Sequence, residues 1–308
     1  MKINSFFEGK SIGFKILIFI LLIIIGFSLF NILGTLISSI IWTKEELINT
    51  PNAIRLLLVF GTIGSFLFPA FFYLFFEFKS QNQFNISSTF KNLLYPPIKQ
   101  KKSICLVILL SVLIIPIIAY LGELNQNIKL PHSLVNIENW MTSLEKENAA
   151  ILELLTQNNT VSILFVNLLV MAFIPAFCEE FFFRGAVQTI WKSVIKNNHI
   201  IIFVTAFIFS AIHFQFYGFI PRLILGIYLG YLMVWSGSLF LPILAHFLHN
   251  GVSLSIEFFN KSSGNALEEL KISEIHNFYI FLPILLIISI FLIYFLYLDL
   301  KQNKIQSI

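Results

Sequence analysis

Long apolar runs separated by short polar connectors dominate this chain of 308 residues. A run of about 20 apolar residues is long enough for a helix that crosses the hydrocarbon core of a bilayer. Eight runs are near this length, at 16–42, 56–76, 103–121, 161–187, 200–216, 220–236, 239–259 and 278–298. We therefore predict an all-α fold, a polytopic membrane helical bundle with about eight transmembrane helices.

Two connectors have patterns of their own. Residues 79–102 contain five lysines and the turn signal Pro96-Pro97, which is typical of a cytoplasmic linker at an anionic membrane surface. Residues 133–157 combine apolar and acidic positions at mostly helical spacing, with Leu134, Ile137, Met141, Leu144, Ile151 and Leu155 between Glu138, Glu145, Glu147 and Glu153. This spacing predicts an amphipathic helix on the outer surface of the bundle.

The composition excludes several classes of protein. Only 12% of the residues are charged and 57% are hydrophobic, so the chain has too few polar side chains to cover a compact surface in water. The same hydrophobicity excludes an intrinsically disordered chain, and two cysteines exclude a disulfide scaffold. The net charge of +4 comes from basic residues scattered through the loops, which argues against a nucleic-acid partner.

The basic residues also predict how the bundle is oriented. Cytoplasmic loops of membrane proteins carry an excess of Lys and Arg. With the N-terminus inside, thirteen of the 20 Lys and Arg residues fall on the cytoplasmic side and seven on the outer side. We therefore expect a multi-pass protein of the cell membrane with both termini cytoplasmic. The frequent Ile, Phe, Asn and Lys residues indicate a bacterial inner membrane.

Costly polar side chains within the apolar runs lie almost entirely in the fourth to seventh spans. An ionisable residue costs about 2.5–3.5 kcal/mol at the centre of a membrane helix, so it is kept where it has a partner or a function. The residues of interest are Glu179, Glu180, Arg184, His213, His246 and Asn250. At 1.5 Å of rise per residue, the residues other than Glu180 and Arg184 lie about 10 to 20 Å from the inner boundary of the membrane. They can therefore converge in one polar chamber.

Helical spacing separates the two neighbouring glutamates. Glu180 and Arg184 are four residues apart, which suits an ion pair that neutralises both charges. Glu179 is rotated by about 100° from Glu180 and remains available for chemistry. His246 and Asn250, again four residues apart, share one helix face.

One carboxylate, two imidazoles and a carboxamide suit the activation of water and the stabilisation of an oxyanion. In one route, Glu179 acts as a general base in an apolar pocket. In the other, Glu179, His213 and His246 form a His₂Glu ligand set for a divalent metal such as zinc, with an open fourth position. Asn250 can donate a hydrogen bond to the oxyanion in both routes. The residues alone leave both routes open.

These motifs resemble the CPBP intramembrane protease family over roughly residues 160–255. They are Glu179-Glu180-xxx-Arg184, Phe209-xxx-His213, Leu225-Gly226-xxx-Leu229-Gly230, Ser236-Gly237-Ser238-Leu239 and His246-xxx-Asn250. The family includes prenyl-protein CAAX proteases and bacteriocin-processing or immunity proteins. The resemblance implies that Glu179 and His213 activate water and that His246 and Asn250 complete the site. It also implies that Glu180 and Arg184 support the site as an ion pair.

The resemblance predicts a CAAX-protease-like intramembrane metalloendopeptidase with a chamber open to the cytoplasmic side. Its expected substrate is a membrane-associated peptide or protein, including prenylated ones, and its other partner is the lipid bilayer. The alternative is a non-catalytic immunity or scaffold membrane protein with the same fold. The predicted parts are N-terminal membrane helices with the amphipathic segment (1–159), a CPBP-like protease core (160–260) and a C-terminal transmembrane helix with its tail (261–308).

Structural roles are expected for several other polar or small residues. His199 is expected to be solvated or to join two helices through a hydrogen bond. Arg222, near the outer end of the sixth span, is expected to extend its charge towards the surface. Gly226 and Gly230 are expected to let neighbouring helices approach closely.

Overall fold

Helices occupy all eight predicted spans. A computed structural model describes residues 6–78, 94, 101–128, 130–157, 160–262 and 278–305, and these ranges contain no strand. The long helices are α1 (Ile12–Ile41), α2 (Pro51–Glu77), α3 (Lys101–Gln126), α4 (Val135–Thr156), α5 (Val161–Lys192), α6 (Asn198–Ala211), α7 (Phe219–Ser236), α8 (Phe240–Ser262) and α9 (Phe278–Ile305). Most of the predicted lysine-rich linker 79–102 lies outside the described residues.

Six of these helices are long and apolar enough to cross a membrane by length and composition. They are α1, α2, α3, α5, α7 and α9. Helix α6 is apolar but has only 14 residues, and α8 has 23 residues that include the polar residues of the predicted site. The chain is therefore a multi-pass helical membrane protein, and the predicted number of about eight spans is approximate.

The fifth predicted span, 200–216, ends earlier than we predicted. Helix α6 stops at Ala211, and His213 lies in the turn that follows. The amides of His213 and Phe214 donate to carbonyls three residues back, and Phe214 has a φ of 51°, in the left-handed region that a right-handed helix cannot contain. His213 is therefore displayed by a turn inside the bundle rather than by a helix face.

Two glycines bring α6 and α7 together as expected. A Cβ atom added to Gly226 would lie 3.0 Å from the Cβ of Ala206, and one added to Gly230 would lie 2.8 Å from Cγ2 of Ile202. Such distances leave no room for a larger residue without a shift of the neighbouring helix. His213 follows the end of α6, so the close packing of α6 against α7 helps to place the site.

Helix α5, which carries both glutamates, is irregular on each side of them. It widens into π-helical turns at Leu168–Phe173 and at Phe181–Val187, with an α-helical segment from Ile174 to Glu180 between them. Pro175 is the second residue of that segment. It has no amide hydrogen to donate to the preceding turn, which favours a local break in the hydrogen-bond pattern. Single π-helical turns within α-helices are frequent at functional sites.

The predicted amphipathic helix forms as α4, and its C-terminal end is fixed to the bundle. Arg55 of α2 is buried and donates three hydrogen bonds, from Nε to Oδ1 of Asn167 (2.8 Å), from Nη1 to Oδ1 of Asn52 (2.7 Å) and from Nη2 to the Leu155 carbonyl (2.8 Å). Asn167 also donates to that carbonyl at 2.9 Å. Helix α4 is thereby joined to α2 and α5.

Candidate functional site

Glu180 is the centre of a buried polar cluster between α5, α7 and α8. Its Oε1 atom accepts a hydrogen bond from Nη1 of Arg184 at 2.8 Å and another from Nδ1 of His246 at 2.8 Å. Arg184 also donates from Nη2 to the Gly226 carbonyl at 2.8 Å. The side chains of Glu180 and Arg184 are both 0% exposed. The expected ion pair is present, and Glu180 in addition orients His246.

This orientation decides what the other ring nitrogen of His246 faces. Because Nδ1 donates a hydrogen bond to Glu180, Nε2 is the ring nitrogen that this bond leaves available. Nε2 lies 3.9 Å from Oε2 of Glu179, which is longer than a hydrogen bond. The imidazole and the second carboxylate therefore face each other without being joined.

Glu179 and Glu180 differ in burial as well as in partners. The Glu179 side chain is 11% exposed, whereas that of Glu180 is fully buried. Apart from its approach to His246, Glu179 accepts no hydrogen bond from a described residue. The carboxylate that water or a substrate can reach is therefore that of Glu179.

His213 approaches the cluster through an aromatic ring rather than directly. Its Nδ1 donates to the Phe209 carbonyl at 2.7 Å, which leaves Nε2 free. The Phe209 ring packs edge-on against His213, with ring centres 5.2 Å apart, and edge-on against His246, with ring centres 5.8 Å apart. Phe209 thus contacts both imidazoles.

Asn250 and His249 continue the polar face of α8 beyond His246. Asn250 is half-buried one turn after His246, and its carboxamide makes no hydrogen bond within the described part of the chain. Nδ1 of His249 is buried and likewise has no hydrogen-bond partner among the described residues. Both side chains therefore keep hydrogen-bonding capacity beside the cluster.

The segment that contains this site matches a known family. Residues 161–252, from the start of α5 to the middle of α8, match the family model described as type II CAAX prenyl endopeptidase Rce1-like. This match covers less than a third of the chain, so the likeness is to that segment alone. All six residues that the sequence analysis selected for the site and its support lie within it.

One curated relative is similar to this chain over a segment of 94 residues. The uncharacterized protein YpbD of Bacillus subtilis (strain 168) is 35% identical over 94 residues, which is 29% of this chain and 42% of the length of YpbD. The chain therefore aligns with less than half of that relative. No solved structure matches the chain.

Within the matched segment, the structure does not group the three predicted metal ligands as a metal site requires. Among the described residues, no group of three or more His, Cys, Asp or Glu side chains is arranged to hold a metal ion. Glu179 and His246 converge, but His213 contacts the cluster through Phe209.

Sequence reasoning missed two polar contacts of the turn that carries His213. Arg222 is half-buried and donates to the side chain and the carbonyl of Gln215. Glu145 of α4 accepts a hydrogen bond from the Tyr217 amide at 3.0 Å. Glu145 had no distinguishing signal, because it is one of several acidic residues on an amphipathic helix. We expected Arg222 to extend its charge towards the surface because it lies near the end of a predicted span, and its bonds to Gln215 were not predicted.

Proposed function

We propose that this protein is an intramembrane endopeptidase that hydrolyses a peptide bond of a membrane-associated or lipidated peptide or protein. The observation that supports it most is the arrangement of the two glutamates around His246. Glu180 accepts a hydrogen bond from Nδ1 of the imidazole, and the partly exposed Glu179 carboxylate lies 3.9 Å from Nε2. A free carboxylate beside an oriented imidazole is suited to moving the protons of a water molecule.

The proposed reaction begins when Glu179 accepts a proton from water while the water oxygen attacks the carbonyl carbon of the substrate. The carbonyl π bond breaks and its electron pair moves to the oxygen, which gives a tetrahedral oxyanion. Asn250 donates a hydrogen bond to this oxyanion. Protonated Glu179 is neutral, and Nε2 of His246, which lies 3.9 Å from it, can accept its proton in a hydrogen bond, while His213 helps to bind the attacking water. Glu179 then returns the proton to the amide nitrogen as the C–N bond breaks, releasing an amine and a carboxylic acid.

The depth of the site supports a chamber that opens to the cytoplasmic side. His246 lies six residues after the start of α8, about 9 Å along the helix axis, and Ser262 ends the helix about 24 Å beyond it. In the proposed topology, with both termini cytoplasmic, α8 begins on the inner side. Reporter fusions at Gln302 and within α4 should then report opposite sides of the membrane, and a common side would contradict this topology.

Cleavage of a defined peptide tests the proposal. The protein in lipid nanodiscs is incubated with a farnesylated cysteine peptide or with the same peptide without the lipid, and the products are identified by mass spectrometry. We expect cleavage by the wild type, none by Glu179→Gln, and wild-type cleavage by Glu147→Gln, which changes an exposed acid on α4. Full activity of folded Glu179→Gln would contradict the assignment. No cleavage by folded wild type would favour the non-catalytic immunity or scaffold function.

A further inference from the structure

The turn between α6 and α7 presents His213, yet its own backbone provides little to hold it. It runs from Ile212 to Gly218, contains Phe214 at a φ of 51°, and ends in one 3₁₀ turn at Phe216–Gly218. A non-glycine residue in the left-handed region persists where the surrounding structure fixes it. Groups outside the turn must therefore fix its conformation.

One of these groups is Arg222 of α7. It donates from Nη1 to the Gln215 carbonyl at 3.4 Å and from Nη2 to Oε1 of the same residue. Its guanidinium also lies against Gly218, where an added Cβ atom would come within 2.6 Å of Nη1. Arg222 thus holds the side of the turn that faces α7.

A second group is Asn125 of α3, which donates to the Phe216 carbonyl at 2.9 Å. A third belongs to the amphipathic helix α4. Oε1 of Glu145 accepts a hydrogen bond from the Tyr217 amide at 3.0 Å. Five residues before Glu145 on the same helix, the ring of Trp140 packs edge-on against Phe214, with ring centres 5.9 Å apart. A carboxylate that binds a backbone amide makes a charge-assisted hydrogen bond, which is stronger than one between neutral groups.

Helix α4 can act as a support because its C-terminal end is fixed. Arg55 and Asn167 donate to the Leu155 carbonyl, and Nζ of Lys261 on α8 donates to Oγ1 of Thr156 at 2.6 Å. Glu145 lies ten residues before Leu155, about 15 Å along the helix axis. A rigid helix thus connects a fixed point on α2, α5 and α8 with the turn that carries His213.

We propose that Glu145 is a positioning residue that holds the turn 212–218, and with it the His213 imidazole, in the conformation used for hydrolysis. The inference rests on the proposed function, in which His213 contacts the reacting groups. Glu145 itself acts through the Tyr217 amide. Without its carboxylate the turn loses its bond to α4, and the hydrogen bond from His213 to the Phe209 carbonyl becomes easier to break.

Three variants of the full chain in lipid nanodiscs test this contact without any substrate. Glu145→Ala removes the acceptor, Glu145→Gln keeps an oxygen at the same position, and Glu147→Ala changes an exposed acid two residues away. Hydrogen exchange of the Tyr217 amide and carbethoxylation of His213 by diethylpyrocarbonate are measured by mass spectrometry. We expect both rates to rise about tenfold in Glu145→Ala, to rise less in Glu145→Gln, and to stay unchanged in Glu147→Ala.

Peptide cleavage then separates positioning from a merely structural role. We expect Glu145→Ala to lower kcat about tenfold per folded molecule with little change in KM, and Glu145→Gln to recover part of this loss. In a His213→Ala background, Glu145→Ala should cause no further loss, because both changes disable the same group.

Several results would overturn the proposal. These are unchanged exchange of the Tyr217 amide in Glu145→Ala, unchanged modification of His213, or a kcat per folded molecule equal to that of wild type. If the wild type cleaves no peptide, the proposed function fails, and the exchange and modification rates alone then decide whether Glu145 positions His213.

Discussion

Two buried polar clusters in this bundle are each built around an arginine, but they use their hydrogen bonds differently. In the Arg55 cluster, which comprises Arg55, Asn52, Asn167 and the Leu155 carbonyl, Nε, Nη1 and Nη2 of the guanidinium each donate to a neutral oxygen. The acceptors come from three segments of the chain. The cluster joins these segments and leaves no donor nitrogen of Arg55 without a partner.

The Arg184 cluster, which comprises Arg184, Glu180, His246 and Glu179, is less complete. Oε2 of Glu180 and Nε of Arg184 are buried without a hydrogen-bond partner among the described residues, and Glu179 and Nε2 of His246 face each other at 3.9 Å. A buried polar network with unused groups is costly, so it is kept where those groups have a function. The comparison assigns the Arg55 cluster to the stability of the fold and supports the proposal that the Arg184 cluster performs chemistry.

The largest expected effect on stability comes from Glu180→Gln. It leaves Arg184 as a buried charge without its counterion, which should lower the free energy of unfolding by about 3–5 kcal/mol. Turnover per folded molecule should also fall, because His246 loses its carboxylate acceptor. Both are measured on one sample, by unfolding in a denaturing detergent and by peptide cleavage. The double variant Glu180→Leu/Arg184→Met is the control, since removing both charges should cost less than removing one.

A smaller effect, confined to turnover, is expected from Asn250→Ala. Loss of one donor to the oxyanion should lower kcat by about 10²–10³ without changing stability. Metal content is measured on the same sample, and wild-type activity is measured with and without a tight chelator. We expect activity to survive chelation and metal content to be the same in both proteins. Loss of activity together with about one metal per chain would favour the ligand set of Glu179, His213 and His246.

The smallest effect is expected where two helices meet behind the site. Gly226→Ala places a Cβ atom 3.1 Å from the Cα of Ala206, which should destabilise the bundle by about 1–3 kcal/mol. Gly13→Ala is the control, because an added Cβ atom there meets no atom closer than 4.0 Å. Detergent unfolding of the two variants should separate them, and equal stability would mean that α6 and α7 can move apart freely.

The sequence predicted features that depend on local spacing. Apolar runs located the helices, the alternation of acidic and apolar residues located α4, and four-residue spacing located the pair of Glu180 and Arg184. The sequence did not predict contacts between distant segments, such as the hydrogen bond that His246 donates to Glu180, 66 residues away. The sequence also did not predict where α6 ends, because the left-handed backbone at Phe214 depends on contacts with α4 and α7. The division into three parts remains a prediction.

The contrast between the two clusters is tested most directly by Glu179→Gln and Arg55→Met, measured side by side for turnover per folded molecule and for the unfolding midpoint. We predict that Glu179→Gln lowers turnover by about 10²–10⁴ and leaves the midpoint unchanged, since only a proton acceptor is lost. Arg55→Met should lower the midpoint, and because Asn167 and Lys261 still hold the end of α4, turnover per folded molecule should stay unchanged. Full turnover in Glu179→Gln, or loss of turnover in folded Arg55→Met, would contradict the account.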